Sequence, residues 1–565
     1  LTYQPFLIAG FKTAKSIGAE AWLSPQDAFE TLENMHVNKG VLEKRLGFST
    51  FATMKHGSTV QDSTSITGIC TYLKRGMPEL LIMDSKGSAG SYTGRCNLYD
   101  AVNKTMTDIS SDLTTPANIF SGSPSDFFHF LNWRGVGYMT NNVNQIRKWE
   151  GRGNAVVPHN IQFDSDDDKT NHIDTCQFLF VIDDRMVLLG PTELGTWHPQ
   201  RLRYGPVLQT DFLEVGGGTD DAETQERICA AGMIGKTVYA FFQGLKPDGS
   251  ACGSLWRIRR TGNIDIPLEW ERLTTTEGSR SPYSGIEFND GLVAVGLSNI
   301  LFYDGFKIKR LELPHGRDIL TEFNDAYIRS VFGYNQKEQN QRHLLFTFAD
   351  LDSSSIDRIL DYNIMENNWT IHKSEQSFFV NCIGGFNGQM VPGMTDVDTA
   401  LSLTDGALVN QITIDSRAIL GTPKPFTLIG CRNSQVYKWN DGEYDGTDDD
   451  DGKIAIETKS IPLNPYTKQG RKVACEKIGF LVDNDEDASF LASVYKNTRS
   501  TKAYVDKTIS CNSDDDDADK FWVYIFCNGE IGDFHQLKIS HTEKGNAPKI
   551  HAFKFYFEMA GRLDG

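Results

Sequence analysis

The stretch Gly285–Pro314, GIEFNDGLVAVGLSNILFYDGFKIKRLELP, decides the fold. Its apolar or alternating runs are short, and they are cut by Asn289-Asp290-Gly291 and Asp304-Gly305, where positive φ is needed to reverse the chain. The pattern is that of several short antiparallel strands joined by tight turns. A sheet this small cannot bury both of its faces, so it needs neighbours of the same kind.

The same form recurs on both sides: an apolar strand, a turn, a second strand, then an aromatic-polar strand ending near Trp, Tyr or Phe with a following Gly or Asn. Before the opening stretch come Gly68–Ile109 (with GICTYL, ELLIMDS and CNLYDAVNKTMTDI), Phe127–Gly151, Phe178–Gly205 and Ala230–Leu273. After it come the SVFGYN to NNWTIHK unit, ending at Lys373, and Phe378–Gly442, with Asn387-Gly388 as an internal turn. Units of roughly 40 to 60 residues have the size of a four-stranded propeller blade. The expected fold is therefore all-β, a six- or seven-bladed β-propeller over residues 61–442. Radial stacking lets each blade cover the next and leaves only short edges. Two or three β-sandwiches are the competing arrangement of the same strands.

Outside that region, residues 1–60 read as an N-terminal extension and 443–565 as a C-terminal antiparallel β-sandwich. In the extension, Ser24 as N-cap, Pro25 at the first helical position and Ala28, Phe29, Leu32 and Met35 on one face predict a short helix. The acidic, Gly-rich tract Asp441–Lys453 reads as a linker. Six strand-like runs then follow between Lys453 and Arg562, enough for one small sandwich.

Composition narrows the functional classes. With 39% hydrophobic, 11% aromatic and 23% charged residues the chain is that of a folded, strand-rich protein. The balance of 56 Lys and Arg against 74 Asp and Glu gives a net charge of −18. A protein that grips nucleic acid by neutralising phosphates needs the opposite sign on its contact face, whereas an acidic surface lets DNA slide past. The ten cysteines are scattered with no C-x-x-C pair, as expected of reduced, buried thiols. Residues 1–30 show no basic segment followed by an apolar core, and no stretch approaches the ~18 apolar residues of a spanning helix.

Signals for catalysis are missing from the sequence. There is no phosphate-binding G-x-x-x-x-G-K-[ST], no G-x-S-x-G and no H-E-x-x-H, and Gly216–Gly218 lies in a polar loop. Neither the S-x-D-x-G-x-T-W box of sialidase-type propellers nor the WD dipeptide occurs. The acidic clusters Asp164–Lys169, Asp448–Asp451 and Asp514–Lys520 have the composition of Ca²⁺ sites, but such charge runs read first as solvated loops. His198, Arg201 and Arg203 form the most basic strand-like patch, read as local salt bridging, with a phosphate or a neighbouring subunit as the functional reading. The sequence thus predicts no catalytic residue, no cofactor and no bound metal.

The segment Ala21–Phe51, AWLSPQDAFETLENMHVNKGVLEKRLGFSTF, resembles the N-terminal region of the nozzle, or tail-hub, propellers of short-tailed bacteriophages. Those proteins open with an Asn-containing apolar segment, a Gly that begins a strand and a Lys-Arg-x-Gly turn, which here are Asn34, Gly40 and Lys44-Arg45-Leu46-Gly47. Leu46 stands where the family commonly has Pro, and Gly47 is expected to supply the special backbone angle. The resemblance extends more loosely to FLFVIDDRMVLLGP, HPQRLRYG, NNWTIHK and the C-terminal strands. It implies a non-enzymatic virion protein assembled in the bacterial host cytoplasm as a homo-oligomeric ring, a hexamer, below the portal and adaptor. The ring would pass double-stranded DNA without sequence-specific binding, carry fibres or spikes outside, and present some acidic loops to its channel. A propeller scaffold for protein–protein interaction and a carbohydrate-active propeller enzyme are the alternatives.

Overall fold

The computed structural model describes residues 3–11, 25–56, 59–60, 64–74, 77–88, 91–100, 105–110, 119–162, 172–210, 216–245, 251–288, 291–311, 319–336, 342–373, 380–386, 425–441, 445, 454–486, 488–497, 501–513, 519–541 and 548–562. These residues are nearly all β, and the only helices among them are short 3₁₀ turns such as Asp325–Ser330. Each sheet of the ring but the last is a local antiparallel meander. Gly285–Pro314 gives Ile286–Phe288, Gly291–Val295, Ile300–Tyr303 and Ile308–Leu311, paired in that order. The other sheets begin with Thr64–Lys74, His129–Trp133, Phe178–Ile182, Arg227–Ile234, Phe332–Gln336 and Val380–Phe386. Successive sheets pack against one another along these first strands, and Val380–Phe386 returns to lie against Thr64–Lys74. The arrangement is propeller-like and closed.

Two devices close it. The last sheet takes its outer strand from the other end of the chain: Phe48–Thr53 pairs antiparallel with Gln435–Trp439, Phe48 opposite Trp439. Opening the ring therefore means stripping a ladder between residues nearly 400 positions apart, not just separating two side-chain surfaces. On the inner side, Gly384 lets the last sheet approach the first, since a Cβ there would meet the Ile69 Cβ at 2.6 Å. Gly384→Val is expected to cost about 1–3 kcal/mol by overpacking a backbone-to-side-chain contact that cannot yield. Urea denaturation would show this as a lower midpoint, and an unchanged midpoint would mean that the seam is not close-packed.

Apart from two small sheets, Ile173–Thr175 with Thr192–Glu193 and Thr196–Trp197, and Lys55–His56 with Thr59–Val60, the remaining strands form two sheets that share one buried cluster, including Phe11, Phe29, Val37, Phe480, Phe490, Ile525, Phe553 and Phe555. One sheet runs Met35–Asn38, Val41–Lys44, Ile550–Arg562, Arg471–Asp483, Lys520–Gly532, with Gln4–Ala9 also on Ile550–Arg562. The other runs Phe29–Glu33, Ile456–Ser460, His535–His541, Ser489–Lys496, Val505–Ser510. Glu33 pairs in parallel with Ile371, so this second sheet continues directly from the sheet that begins at Phe332. Phe553 contacts the rings of Phe11, Phe29 and Phe480 at 5.1, 6.4 and 5.8 Å. The strands between Gln4 and Thr53 are thus woven into three different sheets.

The predicted helix is not formed. Ser24 lies outside the described residues, Pro25–Ala28 is a turn, and Phe29–Glu33 and Met35–Asn38 are strands. Phe29, Leu32 and Met35 nevertheless share the buried side, because a bulge between Phe29 and Thr31 and the left-handed Asn34 (φ 58°) each offset the alternation by one residue. The resulting spacing of three imitates a helical face. The Asn387-Gly388 turn lies outside the described residues.

Candidate functional site

The turn segment singled out in the sequence sits where the closing sheet meets the two C-terminal sheets. Left-handed backbone falls at Asn34 (φ 58°), Lys39 (51°) and Gly40 (79°), and Gly47 is not among the positive-φ residues, so the expected role of Gly47 is taken by its predecessors. Asn adopts this region at low cost because its short side chain can hydrogen-bond locally. Asn34 Nδ2 donates to the Ala455 carbonyl at 2.7 Å, while its Oδ1 accepts from Arg45 Nε at 2.9 Å and from the Lys373 amide at 2.8 Å. Gly40 accepts from the Phe11 amide and a Cβ there would crowd Gly10, so it permits a close backbone crossing. Lys44 ends the Val41–Lys44 strand and is partly exposed.

Arg45 is the centre of this knot. Its side chain is 2% exposed and that of Asp445 0%, and their two-pronged pair runs at 2.7 and 2.5 Å. The guanidinium also donates to the Leu46 and Lys373 carbonyls and lies over the rings of Phe48 and Trp439, at 5.3 and 5.5 Å. One side chain therefore joins the extension, the closing sheet, the neighbouring sheet and the tract expected to be a linker. A buried arginine is stable only when its donors are used, and here they are.

Beside the knot opens a cleft of about 590 Å³, lined among others by His36, Glu43, His343, Asp361, His372 and Asp483. Asp361 is held from both sides, by His343 Nδ1 at 2.7 Å and His372 Nε2 at 3.0 Å. Burial works against its charge, but the two histidines outweigh it and keep the carboxyl well below the usual carboxylate range. Burial pushes His372 down to about 4, so the neutral ring donates from Nε2 and leaves Nδ1 buried without a partner. Glu43 is likewise held below its ordinary value, because His36 at 3.0 Å and Asn38 at 2.7 Å outweigh its burial. A glycosidase acid needs a raised pKa to donate its proton. Asp361 and Glu43 are shifted the other way.

The axis of the sheet ring holds two further cavities, of about 460 and 270 Å³. The larger is walled by first strands from every sheet of the ring, with Cys70, His129, Phe180, Ala231, Glu287, Tyr334 and Gly385 among its residues. Pro282 and Tyr283 line both cavities and so separate them. Phe127 packs behind, its ring 5.2 Å from Tyr283 and 5.1 Å from Phe332. Cavities of this size hold small molecules, and the aromatic partition between them leaves no passage for a nucleic-acid duplex through this axis.

The basic patch proves to be internally neutralised. Arg201 makes two bonds of 2.8 Å to Asp221 and one of 3.0 Å to Glu193, and Arg203 bonds Glu193 at 2.5 and 2.8 Å. None of the ten cysteines is in a disulfide, and eight are buried. Asp164–Lys169 and Asp448–Asp451 lie outside the described residues, as does Asp514–Lys520 apart from Asp519 and Lys520. No group of three metal-ligating side chains occurs among the described residues, and no described helix is long and apolar enough to cross a membrane.

No protein-family model and no curated protein matches the chain. Among solved structures it is similar to the extracellular domain of the hybrid two component system BT3049 from B. thetaiotaomicron, at 8% identity and a TM-score of 0.36, over 87% of this chain and 57% of that one. It is also similar to the Dos1 propeller, at 11% identity and a TM-score of 0.38, over 71% of this chain and 97% of that one. A glycoside hydrolase family 43 arabinoxylan arabinofuranohydrolase from Bacillus subtilis aligns at 10% identity and a TM-score of 0.25, over 91% of this chain and 99% of that one. The chain spans little more than half the length of the first of these structures.

Proposed function

We propose that the chain is a structural protein of a short-tailed phage tail, a nozzle-type ring subunit with a seven-bladed propeller and a C-terminal β-sandwich. The seven sheets of the ring, each taken as one blade, support that count, and the shared core of the two C-terminal sheets supports the sandwich. The observation that carries the reading is a partly exposed aromatic face on the outer side of the sandwich. Along Lys520–Gly532 the residues Val523, Ile525 and Cys527 turn inward, so Trp522, Tyr524 and Phe526 turn outward. Phe526 is 59% exposed, and Leu7, across the sheet on the strand that pairs with Ile550–Arg562, is 57% exposed. Tyr556, Lys477 and Lys554 complete the face, with both lysines 4.5–5.4 Å from the Tyr556 ring centre. Trp522 and Tyr524 lie down over Gly479, where a Cβ would strike both rings. A flat aromatic patch of this kind is the usual core of a protein–protein contact.

In this reading a second copy covers the patch, and the ring, a hexamer, encloses the DNA channel between subunits, since the axis within each subunit is filled. The net charge of −18 suits a wall along which DNA slides without accumulating phosphate contacts. The adaptor or portal-proximal ring and the fibres or spikes are the further partners, the virion is the location, and no catalytic step is assigned. Sedimentation and negative-stain microscopy of the purified chain test this. A closed ring is expected, and Phe526→Asp is expected to release monomers whose melting temperature matches the wild type. A wild-type chain that stays monomeric at every concentration would remove the reading.

A further inference from the structure

The smaller axial cavity has a chemistry that the conduit reading does not use. Its wall is formed where chain segments enter the first strands: Ser125 and Asp126, Gln177, Arg227, Pro282 and Tyr283, and Arg329 and Ser330. Arg227 opens the Arg227–Ile234 strand and Arg329 lies in the 3₁₀ turn Asp325–Ser330, and both line this wall beside Cys229, whose thiol feels both positive charges. Two guanidinium groups brought together repel one another, and burial together with the charge of Arg329 lowers the pKa of Arg227. Such a pair is normally held by a carboxylate between its members.

The acids nearby are engaged elsewhere. Asp126 accepts from the Ser123 amide and hydroxyl, both at 2.7 Å, Asp325 pairs with Arg280 at 3.0 Å, and Glu226 accepts from the Ser254 hydroxyl. Among the described residues neither Arg227 nor Arg329 has a carboxylate within ion-pair distance. Hydroxyl groups flank them, with the Ser330 and Ser125 hydroxyls 3.1 Å apart on the same wall. Pro282, Tyr283 and Trp197 supply apolar walls, and the volume of about 270 Å³ limits the occupant to a few heavy atoms beyond a single charged group.

We infer that this cavity binds a compact oxyanion, a phosphate or carboxylate group, between Arg227 and Arg329. Guanidinium forks match the planar or tetrahedral oxygen arrays of such groups, and an anion between them turns the mutual repulsion into attraction. The oxyanion has two sources, a free small anion or a Glu or Asp side chain presented by a second copy. The inference is independent of the tail reading.

Thermal unfolding of the full-length chain, with inorganic phosphate titrated at constant ionic strength against sodium chloride, tests the first source. A saturable rise in Tm is expected, absent with chloride alone. In Arg227→Gln and in Arg329→Gln the phosphate dissociation constant should weaken by about tenfold or more. Arg329 is exposed, so Arg329→Gln leaves the fold intact and keeps the test open if Arg227→Gln does not fold. Absence of a phosphate effect, with self-association by light scattering that Arg329→Gln abolishes, assigns the oxyanion to a partner carboxylate. Neither a phosphate effect nor an Arg329-dependent association would overturn the inference.

Discussion

Replacing Arg45 by Met is expected to lower the unfolding free energy by about 3–5 kcal/mol, the cost of leaving a buried charge without its partner. Asp445 has no exposed side-chain surface, and the substitution strips it of both guanidinium bonds. Asn34 Oδ1 and the Lys373 carbonyl lose a donor in the same step. The double substitution Arg45→Met with Asp445→Leu separates the two contributions. It removes both charges and places apolar groups against Phe48 and Trp439, so most of the loss should be recovered. Urea midpoints of the two single variants and the double variant close the cycle. If the double variant is as unstable as Arg45→Met alone, the knot matters through the shape of Arg45 and not through its charge.

The same knot marks the limit of what was legible in the residues. The propeller-like sheets were readable because each but the last is a local meander, with every ladder from Ile286 to Leu311 closed within one unit. Closure was not readable, because Phe48 finds Trp439 and Arg45 finds Asp445 across hundreds of residues. Asp445 is one acid in a tract of acids, and nothing in its neighbours in the sequence singles it out. In the extension, a bulge and one left-handed Asn converted a strand period into a helical one. Val505–Ser510 went unread because its exposed Asp506, Lys507 and Thr508 leave little apolar alternation. Asn34 and Arg45 were visible as a turn signature, but their burial was not, since a Lys-Arg pair reads as surface in any single sequence. His343, Asp361 and His372 lie on three successive strands of one sheet, and their meeting depends on hairpin registers that spacing alone does not fix.

His372 sets the second large effect, a loss of stability on acidification. His372 is 4% exposed and titrates at about 4 in the folded chain against about 6.5 when unfolded, so the unfolded state binds the extra proton in the interval between. Stability therefore falls as pH drops from about 6.5 towards about 4, and His372 alone should account for about 2 kcal/mol between about pH 7 and about pH 5. Burial is the main cause, and the charges of Arg45 and His36 add to it, while the bonded Asp361 pulls the other way without prevailing. His129 in the larger axial cavity is also pushed down to about 4 by burial, among Phe178 and Phe180, and contributes with the same sign. His535, fully buried against the Val473 carbonyl, is lowered too. Asp361 does not act in this window: its depressed pKa gives stability that is present above the unfolded carboxylate value and is lost only at more acidic pH. Urea midpoints at the two pH values should differ strongly in the wild type, and less in His129→Phe and in His372→Gln. Equal wild-type midpoints would mean that these rings are reached by water and already free to take up a proton.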